Sequence, residues 1–157
     1  MGKFNNKISA EYNPPRKWIL ERALSYTNPD IDEDAVERVG VNVIGSKITV
    51  KKDFVTDLAS VPRVCWAFIA PWDVARAAII HDLLYKRIRQ YRADGGDDKV
   101  VISEAKKASD NVFHMAMKDA QPSVAKWKIF SAYWSVRLFG RWSIIPRVEY
   151  LSGKNKD

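Results

Sequence analysis

The sequence predicts an α+β chain: a small antiparallel β-sheet or hairpin in the N-terminal third, followed by three α-helices, the first two antiparallel. Three observations carry that prediction. Apolar residues alternate with polar ones on both sides of Gly45-Ser46, the period of a half-buried strand. Beyond residue 70 the apolar residues recur at three- and four-residue spacing in three stretches, the period of helices with one buried face. Short connectors rich in glycine, proline and aspartate separate those stretches.

At 157 residues one ordinary domain is expected, with its core over about 17–145 and irregular ends. A chain of this size buries roughly two thirds of its unfolded surface without disulfides or metals.

Residues 1–16 read as irregular and close on Asn13-Pro14-Pro15, where two prolines forbid a helix interior. From Trp18 to Tyr26 the alternation of Trp18, Leu20, Leu24 and Tyr26 reads as a strand. Arg22 interrupts it, and a short helix is the alternative. Asn28-Pro29-Asp30 is a turn. From Glu37 to Ile44, Val39, Val41 and Val43 alternate with Arg38, Gly40 and Asn42. Gly45-Ser46 can supply the positive backbone angles of a two-residue turn, and Ile48-Thr49-Val50 returns, which predicts a hairpin.

Asp53–Arg63 is a loop dense in oxygen donors, Thr56, Asp57 and Ser60. These side chains either bond their own backbone or face a site on the following helix. Pro71-Trp72-Asp73 opens that helix, with Asp73 as the N-cap and an end near Arg89. Arg92–Asp98 is an exposed connector. Ser103 caps the second helix, which runs to Lys118. Pro122 suits the first turn of the third, and Gly140 its end. There Trp127, Phe130, Trp134 and Leu138 form one stripe, a core face in preference to a partner-binding one.

The net charge is +7 with six tryptophans. Acids crowd Asp30–Glu37, Lys86, Arg87, Arg89 and Arg92 form a basic cluster, and the last third is basic. Such a surface suits anionic lipid or nucleic acid, with a solvated, solubilising face as the plainer alternative. Nucleic acid ranks last, because no known module is present and the arginines gather at a helix end. Cys65 is the single cysteine and sits among apolar residues, so it reads as packing. The N-terminus lacks the apolar core of a secretory signal, and the run Val64–Trp72 is too short to cross a bilayer. The expectation is a soluble product of a host cytoplasm, with association to a virion open.

Chemistry concentrates in Ala77-Ala-Ile-Ile-His-Asp-Leu-Leu-Tyr85. On a helix His81 and Tyr85 share a face, and Asp82 points about 100° away. On the second helix Asp110 can reach the imidazole of His81 if the two helices pack antiparallel. A carboxylate holding a histidine beside a further carboxylate is the outline of a hydrolytic or metal site. The alternative is a polar network that fixes helix packing. His114 shares a helix face with Asp110 and is expected at the surface.

Phe54-x-Thr56-Asp57-x-Ala59-Ser60-x-Pro62-Arg63, Ala77-Ala78-x-x-His81-Asp82-x-Leu84-Tyr85 and Ala108-x-Asp110-x-x-Phe113-x-x-Ala116-Met117 together resemble a family of unknown function found mainly in bacteriophages and prophages. The resemblance covers about 17–140 and implies a phage or prophage origin but no activity. A second resemblance, to phospholipase A2 enzymes, rests on His81-Asp82-Leu83-Leu84-Tyr85 and Ser109-Asp110-Asn111-Val112-Phe113. It implies His81 as the base that activates water and Asp82 as a calcium ligand. Asp110 would orient the histidine, and Tyr85 would bond Asp110. The glycine-rich calcium loop of those enzymes is absent, so Asp57 and its loop would supply the missing oxygens. Two readings follow: a metal-assisted ester hydrolase acting on membrane phospholipid, or a non-catalytic part that packs with other virion or tail proteins.

Overall fold

The computed structural model describes residues 1–15, 17–56 and 71–147. Among them six strands form two three-stranded antiparallel sheets. The strands are β1 (Lys3–Phe4), β2 (Ala10–Asn13), β3 (Lys17–Leu20), β4 (Leu24–Thr27), β5 (Lys47–Val50) and β6 (Val55–Thr56). One sheet has the order β1-β4-β5, the other β2-β3-β6. The helices of these residues are α1 (Glu33–Glu37), α2 (Pro71–Ala93), α3 (Lys99–Lys118) and α4 (Lys126–Ser143). The α+β class is as the sequence predicts, and no helix among the described residues is long and apolar enough to cross a membrane.

The first 16 residues are less irregular than expected, since β1 pairs with β4 and β2 with β3. The expected strand over Trp18–Tyr26 is two strands in different sheets. Arg22 explains the break. It falls on the same alternate positions as Leu20, Leu24 and Tyr26, all buried, so an unbroken strand would carry its charge into the core. Instead Arg22 is exposed and the chain turns there.

The hairpin is corrected in its first arm. Glu33–Glu37 is a helical turn whose N-cap Asp32 accepts the amide of Ala35. It is closed by Gly40, at φ +85°, donating to the Glu37 carbonyl at 2.8 Å. Val39, Val41 and Val43 are buried as their pattern demands, but a loop delivers them, with a single bridge from Val43 to Ile48. Gly45 and Ser46 both take positive φ, so the expected tight turn is present. The partner of β5 is β4, with Leu24 opposite Val50 and Thr27 opposite Lys47.

Helix ends shift for reasons of capping. α2 starts at Pro71 and continues to Ala93, which leaves Asp73 inside its first turn. α3 is capped by Asp98, not Ser103: the carboxylate accepts the amides of Val100 and Val101 at 2.8 and 3.2 Å. α4 starts at Lys126 and passes through Gly140 to Ser143. α2 and α3 are antiparallel, because partners descend as α2 ascends: Arg76 meets Gln121 just past the end of α3, and on α3 itself His81 meets Phe113 and Tyr85 meets Lys106. Ile80, Leu84, Ile88, Val112, Phe113 and Met117 join Leu20, Tyr26 and Ile48 in one core.

The largest correction concerns α4. Its buried positions are Ile129, Ala132, Val136 and Gly140, and Trp127, Phe130, Trp134 and Leu138 are exposed. Apolar residues occupy both sides of the helix, so the stripe chosen from the sequence is the wrong one for the core. The smaller residues pack inward because α3 lies close, and the bulkier aromatics are left outside.

Candidate functional site

His81 is carried by the middle of α2 and is fully buried, as are Tyr85 one turn on and Asp110 in the middle of α3. Ala105, Ala108 and Ala116 are buried on α3. Such small side chains let a neighbouring helix come close enough for a short aspartate to span the gap. The geometry anticipated for His81 and Asp110 is present: His81 Nε2 lies 3.0 Å from Asp110 Oδ1. Tyr85 donates its hydroxyl to the same oxygen at 2.7 Å.

The other oxygen, Oδ2, accepts Lys106 Nζ at 2.8 Å and Arg137 Nη1 at 3.1 Å. Four donors therefore converge on one carboxylate. Burial pushes the Asp110 carboxyl up, but the His81 hydrogen bond and charge, then the bonds from Lys106 and Tyr85, outweigh it and hold the group well below the usual carboxylate range. The Tyr85 phenol is driven far above its ordinary value, first by burial, then by the negative charge of Asp110. An ionised Asp110 accepts only, so Nε2 of His81 carries the proton and, in the neutral ring, Nδ1 bears the lone pair.

That Nδ1 is buried and has no hydrogen-bond partner among the described residues. The ring is flanked by Tyr85, with centroids 4.0 Å apart, and by Phe113 at 4.9 Å. Asp82 leaves α2 in another direction and accepts a hydrogen bond from Thr56 Oγ1 in β6. This joins the first sequence motif to the second. Asp57, proposed with Asp82 as a cation ligand, lies outside the described residues, as do Ser60, Arg63 and Cys65.

All three motifs are thus brought toward one region: Thr56 on Asp82, and His81 and Tyr85 on Asp110. A family model described as Protein of unknown function (DUF1353) matches residues 35–136. The chain belongs to the DUF1353 family. The DUF1353 match takes in His81, Asp82, Tyr85, Lys106 and Asp110 and ends one residue short of Arg137. No curated protein and no solved structure matches the chain.

Sequence reasoning missed Lys106 and Arg137. Lys106 stands four residues before Asp110, the spacing of a helical ion pair, and was legible. Arg137 comes from a different helix with no spacing to betray it. Of the basic cluster, Arg89 and Arg92 donate to the carbonyls of Ser143 and Ile144, each at 2.8 Å, and Lys86 lies over the Phe54 ring. These side chains tie α2 to the end of α4 and to the sheet. His114 is half-buried against Tyr133, 4.7 Å between centroids. Burial, then the Lys118 charge, pushes it below its ordinary value.

Among the described residues no group of three or more His, Cys, Asp or Glu is placed to hold a metal. Asp82 and Thr56 offer at most three side-chain oxygens where a calcium ion takes six to eight. The described residues alone do not fit that ion.

Proposed function

We propose that this DUF1353 chain is a hydrolase of phage or prophage origin that cleaves a carboxylic ester, with phospholipid as the substrate class. One observation carries the reading: His81 is fixed through Nε2 by an ionised carboxylate while its Nδ1 is buried without a partner among the described residues. A buried polar atom left unpaired costs about 1–3 kcal/mol, and a catalytic role is one of the few explanations that such an atom admits.

In this reading Nδ1 takes the proton of a water as its oxygen attacks the ester carbonyl. The imidazolium so formed is stabilised by the charge of Asp110 and returns the proton to the departing alkoxide. Tyr85, Lys106 and Arg137 keep Asp110 ionised and aimed. Calcium belongs to the proposal only through Asp82 with Asp57, and no step here depends on it.

A second reading rests on the same burial. His81, Tyr85 and Asp110 are each 0 % exposed, as befits a polar network that fixes the packing of α2, α3 and α4 in a virion or tail component. The test is fatty-acid release from mixed phospholipid vesicles, with calcium and with a chelator. The hydrolase reading expects release that disappears in folded His81→Ala and falls in Asp82→Asn. A folded wild-type chain that releases nothing under either condition overturns it and leaves the packing network.

A further inference from the structure

The outward face of α4 is the strongest feature that the His81 site does not use. Trp127, Phe130, Trp134 and Leu138 are 54, 64, 46 and 59 % exposed. At about 100° per residue they fall on the side of the helix opposite Ile129, Ala132, Val136 and Gly140. Trp142 extends the row by one turn. A row of large apolar groups along a helix of about 27 Å is more than isolated exposed side chains, and it asks for a cover.

Charge identifies the cover. From 121 to 147 the chain has five bases, Lys126, Lys128, Arg137, Arg141 and Arg147, and no acid. Arg137 is turned inward onto Asp110, but Lys126 and Arg141 are exposed beside the stripe, and Arg141 lies 4.2 Å over the ring of Trp142. A second copy of this face would bring two sets of bases together with no acid to meet them. Nucleic acid would match the charge and leave Leu138 and Phe130 without hydrocarbon to enter. An anionic bilayer supplies both, phosphate for the bases and acyl chain for the stripe, and tryptophan favours that boundary.

We infer that α4 seats the protein on the surface of an anionic lipid bilayer, its axis in the membrane plane and the Trp127–Leu138 stripe in the headgroup boundary. Seating shares a lipid with the hydrolase reading but needs no chemistry at His81.

The experiment is co-sedimentation of the full chain with phosphatidylcholine vesicles, with and without phosphatidylglycerol. The anionic lipid should raise partitioning by about tenfold or more, since each base near such a surface adds to the attraction, and salt should weaken it. The double variant Trp127→Ser/Trp134→Ser should lose about tenfold or more while melting as the wild type does, because both side chains face solvent. Phe130→Asp should act likewise. His81→Ala should bind as the wild type does, and a wild-type chain that binds without releasing fatty acid upholds the seating and sinks only the hydrolase. Equal binding to neutral vesicles, or full binding by the folded double variant, overturns the inference. So does a wild-type dimer, or a nucleic-acid complex, that the same substitutions dissociate.

Discussion

Gly140 of α4 lies against the phenol of Tyr85: a Cβ at Gly140 would overlap the hydroxyl oxygen and sit 3.1 Å from Cζ. Tyr85 is fully buried and donates that hydroxyl to Asp110, so it has no room to yield. Gly140→Ala should therefore destabilise the chain by about 1–3 kcal/mol, the usual cost of overpacking. Tyr85→Phe loses a bond to a charged acceptor, about 1.5–3 kcal/mol, but removes the oxygen that the new methyl would strike. The double variant should be more stable than the sum of the two losses predicts. Urea midpoints of the four proteins check this, and strict additivity would refute the close contact.

Asp110 gives the fold a pH dependence with a definite sign. Its carboxyl lies below its ordinary value of 3.8 in the folded chain, so between the two values the unfolded chain binds more protons. The resulting stability is fully present above about pH 4 and is lost as the pH falls further. Asp110→Asn removes that dependence at a cost, because Lys106 and Arg137 lose their shared anion. Breaking a buried ion pair from one side costs about 3–5 kcal/mol, to be discounted here because Arg137 is about a third exposed, at 31 %. Melting temperature against pH should show a shallower acid limb in the variant. An acid limb of unchanged steepness would place the responsible group elsewhere.

Asp119, at the C-cap of α3, draws the first residues of the chain onto the helices. Its Oδ2 accepts the Gly2 amide at 2.9 Å, the Tyr26 hydroxyl at 2.6 Å and the Asn28 side-chain amide at 3.1 Å. Burial, then the Asp119 bond, pushes the Tyr26 phenol well above its ordinary value. Asp119→Ala takes this acceptor from the Gly2 amide and the Tyr26 hydroxyl, while Asn28 keeps its bond to the Tyr26 oxygen at 2.8 Å, and a single bond to a charged group is worth about 1.5–3 kcal/mol. The variant should lose at least that much and expose Met1–Phe4 to early proteolytic nicking. Wild-type resistance at that end would show that β1 pairing alone holds it.

The parts of this fold legible in the sequence are those set by local spacing. His81, Tyr85 and Asp110 were readable because helix period and a short connector place them face to face. The Gly45-Ser46 turn was readable because only certain residues tolerate its angles. Where spacing is ambiguous, reading failed. Val39, Val41 and Val43 alternate as a strand does, but the positive φ at Gly40 lets a helical turn and loop bury the same residues. α4 carries apolar residues on two sides, and nothing local tells which side meets α3. Arg137 reaches Asp110 across 27 residues and between helices, a contact that exists only after packing is settled.

Arg89 and Arg92 join the end of α2 to the carbonyls that close α4, those of Ser143 and of its C-cap Ile144. Those carbonyls have no partner within the helix, and a cation at that end also complements the helix dipole. Arg89 is buried, so its loss cannot be made good by solvent. Arg89→Ala should cost about 1.5–3 kcal/mol and loosen the final turn of α4 before any other helix responds. Amide exchange at Gly140–Ser143 should quicken while exchange in α3 around Val112 stays slow. If both segments quicken together, α4 does not open from its end, and the two arginines support the whole fold rather than one terminus.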